Sequence, residues 1–109
     1  MKWDYLNTHV MNILDKIVAD KRKEVELKNL IFPSSQYEHS VLFNRETFSL
    51  AQALKDSDTG IISEFKRRSP SKESINQNAN VGQVAMGYEK AGVCGMSVLT
   101  DIKYFGGSL

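Results

Sequence analysis

The feature that most constrains the fold is a change in the spacing of the apolar residues near residue 60. Residues 60–66 read Gly-Ile-Ile-Ser-Glu-Phe-Lys, and their β-branched and aromatic side chains favour a strand. Residues 81–91 place apolar side chains three or four positions apart, which favours a helix, and residues 94–99 are again typical of a strand. A polar loop over residues 67–80 follows the first strand. This order predicts a βαβ unit with parallel strands and a right-handed crossover.

A longer amphipathic helix is predicted near the N terminus, from about Thr8 to about Leu27. Asn7 and Thr8 are good N-caps, and Pro33-Ser34-Ser35 ends the helical pattern. The charged run Lys21-Arg22-Lys23 is typical of the solvated face of a helix whose other face packs on a core. The apolar positions close to a 3.6-residue period are Val10, Ile13, Leu14, Ile17, Val18 and Val25.

A second, shorter helix is predicted from Thr47 to Leu54, with Thr47 as its N-cap. Residues 36–46 show no clear period, and residues 56–60, rich in Asp, Ser, Thr and Gly, predict a turn. We therefore expect a single partial domain over residues 1–109, with a helical extension over residues 1–58 and the first βαβ unit over residues 59–109.

Length and charge narrow the classes of protein. A chain of 109 residues allows one domain at most. Its formal net charge of +1 gives no electrostatic reason to expect nucleic acid or an acidic membrane as partner. The single cysteine, Cys94, fits a reducing compartment, and no signal peptide or apolar span is visible. We therefore expect a cytoplasmic protein.

The candidate chemistry lies at the end of the first predicted strand. Glu64 and Lys66 are two residues apart, so their side chains share one face of the strand while Phe65 faces the other way. In parallel α/β proteins the carboxyl ends of strands carry the functional groups. An acid beside a base there is able to hold an anionic substrate and move protons. A surface ion pair has the same spacing, and the spacing alone leaves both readings open.

The loop that follows, residues 67–72, offers hydroxyls, backbone N–H groups and cations, which suit an anion. A solvated loop or a kinase recognition patch has the same composition. His9 and His39 each stand alone, and we expect no catalytic role for either. Cys94 opens an apolar strand and is expected to be a small core residue rather than a nucleophile.

Taken together, several segments resemble indole-3-glycerol phosphate synthases. Residues 61–72, Ile-Ile-Ser-Glu-Phe-Lys-Arg-Arg-Ser-Pro-Ser-Lys, resemble the family's first-strand signature. Residues 88–92, 97–101 and 103–109 are similar to its second strand and loop, with matching spacing. The first helix is similar to the extra helical region that precedes the family's barrel. The resemblance covers nearly the whole chain except residues 28–45.

The resemblance implies an α/β fold, the N-terminal part of a (βα)8 barrel preceded by an extra helical segment. It implies a carbon–carbon lyase (a carboxy-lyase) of tryptophan biosynthesis without cofactor or metal. The family closes the ring of 1-(2-carboxyphenylamino)-1-deoxyribulose 5-phosphate, with loss of carbon dioxide and water, to give indole-3-glycerol phosphate. The expected partner is thus a small phosphorylated substrate.

The resemblance also implies residue roles. Glu64 matches a catalytic glutamate that assists proton transfer, and Lys66 matches a lysine that binds anionic groups of the substrate and supports the chemistry. Ser69 matches a serine that contacts the substrate, and Phe105 an aromatic residue lining the pocket for the anthranilate ring. Two loop positions depart from the family pattern, Glu73 where glycine is frequent and Ile102 where a polar residue is common.

The family's principal general acid is a lysine on the third strand, which residues 1–109 do not include. We therefore expect this polypeptide alone to be inactive and prone to associate, with a complementing C-terminal barrel segment as a candidate partner. An alternative is a catalytically incomplete piece that acts only in binding or assembly. A third candidate is a relative of phosphoribosylanthranilate isomerase, against which the Glu-x-Lys and Ser-Pro-Ser combination argues.

Overall fold

The computed structural model describes residues 12–108, which divide into two compact units between residues 46 and 47. The first unit contains helix α1 and a 3-10 helix, and the second contains three helices and two strands. The elements are α1 (Ile13–Ile31), the 3-10 helix (Ser34–His39), α2 (Leu50–Asp56), β1 (Ile62–Phe65), α3 (Val81–Lys90), β2 (Gly95–Val98) and α4 (Ile102–Phe105).

Helix α1 begins at Ile13 with a reciprocal cap. Asn12 accepts a hydrogen bond from the Asp15 amide (2.9 Å), and the Asp15 carboxylate accepts one from the Asn12 amide (3.2 Å). The predicted start and caps, Asn7 and Thr8, lie outside the described residues. The predicted end at Leu27 is wrong, because α1 continues to Ile31. Helical hydrogen bonding runs on until Pro33, which disfavours helical geometry in the residue before it.

The apolar stripe of α1 is largely exposed. Leu14 keeps 62% of its surface accessible and Val25 keeps 49%, whereas Ile17 is half-buried. The prediction that this face packs on a core is not confirmed within the first unit, over residues 12–46. The 3-10 helix that follows α1 was not predicted from the sequence. The ring centroids of Phe32, before this helix, and Tyr37, within it, lie 5.7 Å apart.

Helix α2 is shifted from its predicted position. Ser49, not Thr47, is the N-cap, because its hydroxyl accepts a hydrogen bond from the Gln52 amide (3.1 Å). The helix ends at Asp56 rather than Leu54, and a hydrogen bond from the Gln52 amide side chain to the Asp56 carboxylate (2.8 Å) spans this last turn. The predicted turn before β1 is present, and Gly60 adopts a positive φ of 61° there.

Strands β1 and β2 pair in parallel, as predicted, with Ile62 opposite Gly95 and Phe65 opposite Val98. Helix α3 connects them, is capped by the Asn80 side chain, and packs against both strands. It ends at Lys90, one residue before the predicted end, and Gly92 follows with a positive φ of 85°. The half-buried side chains of α3 are those of Val84, Ala85 and Tyr88.

Phe65 is the buried apolar residue of the described chain, with 6% of its surface exposed. It lies on the opposite side of β1 from Glu64, as the strand alternation predicts. Cys94 is half-buried before β2, where its thiol lies 3.6 Å from the Ala53 carbonyl oxygen, so the core position predicted for it is only partly realised. Across residues 12–108, none of the helices has both the length and the apolar character that crossing a bilayer requires.

Candidate active site

The acid–base pair predicted from the sequence is present at the carboxyl end of β1. The Lys66 Nζ lies 3.0 Å from Glu64 Oε1, so the two charged groups share one side of the strand. Their side chains are 31% and 48% exposed, which leaves both groups open to a ligand. The pairing follows from strand geometry, because residues two apart point the same way.

Helix α4 brings an aromatic ring to this pair. The sequence predicted only a loop here, since a single helical turn is too short to show a period. Asp101 caps the turn by accepting a hydrogen bond from the Tyr104 amide (2.7 Å). Phe105, the last residue of α4, has its ring centroid 5.5 Å from Lys66 Nζ, within the range of a cation–π contact. Glu64, Lys66 and Phe105 are therefore neighbours.

Within the described chain, Ser69 forms no hydrogen bond with Glu64, Lys66 or Phe105. Its backbone and hydroxyl bond instead within its own loop, where its amide donates to the Lys72 carbonyl oxygen (2.8 Å) and its hydroxyl accepts from the Lys72 amide (3.2 Å). The Ser71 hydroxyl lies 3.3 Å away. The result is a tight, locally bonded turn directly after the strand.

The charge around the strand end is mainly positive. Lys66, Arg67, Arg68 and Lys72 follow β1 within seven positions, with Glu64 as the carboxylate on the strand beside them. Part of this region is a cleft of about 330 Å³, lined by Arg67, Arg68, Gln77 and Gly106. An ammonium group and guanidinium groups are suited to anionic groups such as carboxylate or phosphate.

Arg68 was not recognised as a site residue from the sequence. Its guanidinium Nη2 donates hydrogen bonds to the carbonyl oxygens of Ile102 (2.7 Å) and Lys103 (2.9 Å). Its partners are more than thirty positions away along the chain, and no local pattern could have indicated them. Arg67 instead donates to the Ala79 carbonyl oxygen (3.2 Å) and has its guanidinium carbon 5.0 Å from the Phe65 ring centroid.

These features define an α/β protein with parallel strands and a charged site at a strand's carboxyl end. Comparison with known sequences identifies the family: the sequence model described as "Indole-3-glycerol phosphate synthase" matches residues 14–109. The chain belongs to the indole-3-glycerol phosphate synthase family, as the sequence motifs indicated.

Individual relatives support the assignment. The chain is 44% identical over 98 residues, 90% of its length, to an indole-3-glycerol phosphate synthase of Bacteroides thetaiotaomicron. It is 40% identical over 88% of its length to one from Ruminiclostridium cellulolyticum, and 44% identical over 88% to one from Bacillus cereus. The matched segment spans 38%, 38% and 35% of these relatives, so the chain corresponds to well under half of their length.

Proposed function

We propose that the protein containing this chain is an indole-3-glycerol phosphate synthase, a carboxy-lyase of tryptophan biosynthesis. Its substrate would be 1-(2-carboxyphenylamino)-1-deoxyribulose 5-phosphate, which closes to indole-3-glycerol phosphate with loss of carbon dioxide and water. Membership of the family supports this proposal. The observation that carries it is the Glu64–Lys66 pair at 3.0 Å with the Phe105 ring beside it.

In this proposal the charged pair acts on the reacting atoms. The Lys66 ammonium binds anionic groups of the substrate and stabilises the negative charge that develops on the carbonyl oxygen during ring closure. The Glu64 carboxylate exchanges protons during condensation and dehydration, for which its exposed position beside Lys66 is suitable. The reaction needs this proton traffic because water leaves after the new carbon–carbon bond forms.

Ser69 and Phe105 would bind the substrate. Phe105 offers an aromatic surface to the anthranilate ring from a position next to Lys66. Ser69 would contact the substrate from the turn after β1. Because its hydroxyl already accepts a hydrogen bond from the Lys72 amide, it would donate its own proton to an anionic oxygen.

We further propose that residues 59–109 form the first βαβ unit of a (βα)8 barrel and that residues 1–58 form a helical extension. The parallel pairing of β1 and β2 and the packing of α3 on both strands support this arrangement. The remaining strands, including one with a lysine as general acid, would come from a continuation of the chain or from a complementing segment. A cytoplasmic location and a reaction without cofactor or metal belong to the same proposal.

Reading the coding sequence beyond the Leu109 codon and assaying its complete product tests the proposal. We expect a continuation with a lysine on the third strand, and formation of indole-3-glycerol phosphate by the purified protein. A complete product that folds but forms none of this compound would refute the proposed activity. If the reading frame stops at Leu109 and a separate chain co-purifies, the complementing-segment arrangement is supported, provided the pair is active.

A further inference from the structure

Arg68 joins the loop after β1 to helix α4 through both its side chain and its backbone. Its Nη2 group donates to the carbonyl oxygens of Ile102 (2.7 Å) and Lys103 (2.9 Å). Its amide donates to the Phe105 carbonyl oxygen, 3.3 Å away. Three of the four residues of α4 are thus bonded to one arginine.

Helix α4 needs such support because it is a single turn. An isolated turn is unstable, since one hydrogen bond does not compensate the entropy lost in ordering its residues. Carbonyl oxygens at the C-terminal end of a helix carry partial negative charge, which a nearby cation stabilises. The guanidinium of Arg68 supplies both the donors and the charge.

Gly106 has no side chain, and this leaves space for the Arg68 side chain beside α4. It adopts a left-handed conformation (φ 62°), and a Cβ atom placed there would lie 2.9 Å from the Arg68 Nε. A larger residue at this position would press on the guanidinium. The arginine and the glycine therefore fit each other closely, where α4 ends and directly after Phe105.

We propose that Arg68 is a positioning residue that holds the Phe105 ring beside Lys66. It acts through α4, fixing the turn whose last residue is Phe105, rather than by contact with the reacting atoms. The role in catalysis rests on the proposed function, because Phe105 is there the wall of the anthranilate pocket. The anchoring of α4 itself does not depend on any activity.

The anchoring is tested by hydrogen exchange in the full-length protein, comparing Arg68→Met with Arg67→Met. Both variants lose a guanidinium from the same cleft, but the Arg67 side chain bonds to Ala79 instead of α4. We expect the amide of Gly106, bonded to the Ile102 carbonyl oxygen, to exchange at least about tenfold faster in Arg68→Met only. Equal exchange in Arg68→Met and wild type would overturn the proposal.

The catalytic consequence is tested by a double-mutant cycle with Phe105→Ala. We expect Arg68→Met to lower kcat/KM about ten- to a hundredfold, as misplacement of a substrate-contacting group does. The double variant should be no worse than Phe105→Ala alone, because Arg68 acts through that ring. Arg68→Lys, which keeps the charge and one donor nitrogen, should recover part of the loss. Fully additive losses would overturn the positioning role.

Hydrogen exchange and kcat/KM together distinguish a failure of the proposed function from a failure of the inference about Arg68. If the wild-type full-length protein makes no product while Arg68→Met still loosens α4, the proposed function fails and the anchor stands. If the wild type is active but Arg68→Met changes neither exchange nor kcat/KM, the inference about Arg68 fails and the proposed function stands.

Discussion

At the scale of single residues, positions 64–66 at the end of β1 contribute both to the core and to the candidate active site. Phe65 points into the interior and is 6% exposed, while Glu64 and Lys66 on the other side remain open to solvent. Alternation along a strand makes this division possible without any bend in the backbone. Substitutions on the two sides should therefore affect different measurable quantities.

Replacing the charged pair should affect activity much more than stability. We expect Glu64→Gln and Lys66→Met in the full-length protein to lower kcat by about 10²- to 10⁴-fold, the usual contribution of general acid–base groups. The free energy of unfolding should change by less than about 1 kcal/mol, because exposed ion pairs contribute little. Steady-state kinetics and urea denaturation measure the two effects. Glu73→Gln, an exposed carboxylate in the following loop, is the control that should leave kcat unchanged.

Replacing Phe65 should instead affect stability much more than activity. Phe65→Ala removes the buried ring from beneath the strand pair, and we expect it to lower the free energy of unfolding by about 3–5 kcal/mol. Lys55→Ala is the control, because Lys55 is an exposed charged side chain and its loss should change stability by less than about 0.5 kcal/mol. Chemical denaturation of the full-length protein compares them, and equal losses would contradict the assignment of Phe65 to the core.

At the scale of elements, α1 and α4 are stabilised in different ways. Helix α1 has 19 residues and local support, a reciprocal cap at Asn12 and ion pairs from Glu24 to Lys21 (2.6 Å) and Lys28 (2.7 Å). Helix α4 has one turn and depends on Arg68, 34 positions before Ile102. Helix α1 is supported by residues of its own segment, whereas α4, besides its local cap at Asp101, is bonded to an arginine that folding brings from a distant position.

The ion pairs of α1 predict a dependence of its helicity on pH. Hydrogen bonds from Lys21 and Lys28 lower the pKa of Glu24 below its ordinary value. Glu24 therefore stabilises the helix above its unfolded-state pKa, and this contribution is lost as pH falls through the lowered pKa. Circular dichroism of a peptide of residues 12–33, titrated from about pH 7 to about pH 2, should show helicity falling in acid. A Glu24→Gln peptide should lose less helicity over this range, and identical titrations would contradict the prediction.

At the scale of the whole molecule, much apolar surface remains uncovered in the described chain. Val41 is 96% exposed and Leu30 is 82% exposed, and the two-stranded sheet presents unpaired edges. Surface of this kind favours association with other protein segments. The relatives are more than twice as long as the matched segment, so a full-length protein of this family has further chain with which to cover it.

The polypeptide of residues 1–109, expressed alone, should therefore self-associate and be inactive. We expect light scattering coupled to size exclusion to give a mass above that of a monomer and increasing with concentration. Assays should find no indole-3-glycerol phosphate, because the two described strands hold only part of the proposed machinery. The full-length protein is the control under the same conditions. A monodisperse, active monomer of residues 1–109 would contradict both expectations.

The sequence by itself determined the features that depend on neighbours along the chain. Period and composition predicted β1, α3 and β2 with their parallel pairing, and the two-residue spacing predicted the Glu64–Lys66 pair. Element ends were less accurate: α1 ran on past Leu27, and α2 took Ser49 rather than Thr47 as its cap. At the start of α2, Thr47 and Ser49 both have side chains suited to an N-cap, and the hydrogen bond formed in the structure identifies Ser49 as the cap.

Only the tertiary structure decided what depends on distant partners. It placed Phe105 beside Lys66, 39 positions away. It also joined Arg68 to the carbonyl groups of α4, a helical turn too short to show a period in the sequence. It also showed Ser69 bonded within its own loop rather than to the charged pair. Local patterns specify backbone conformation and the face that a side chain occupies. Contacts between distant segments arise only when folding brings those segments together.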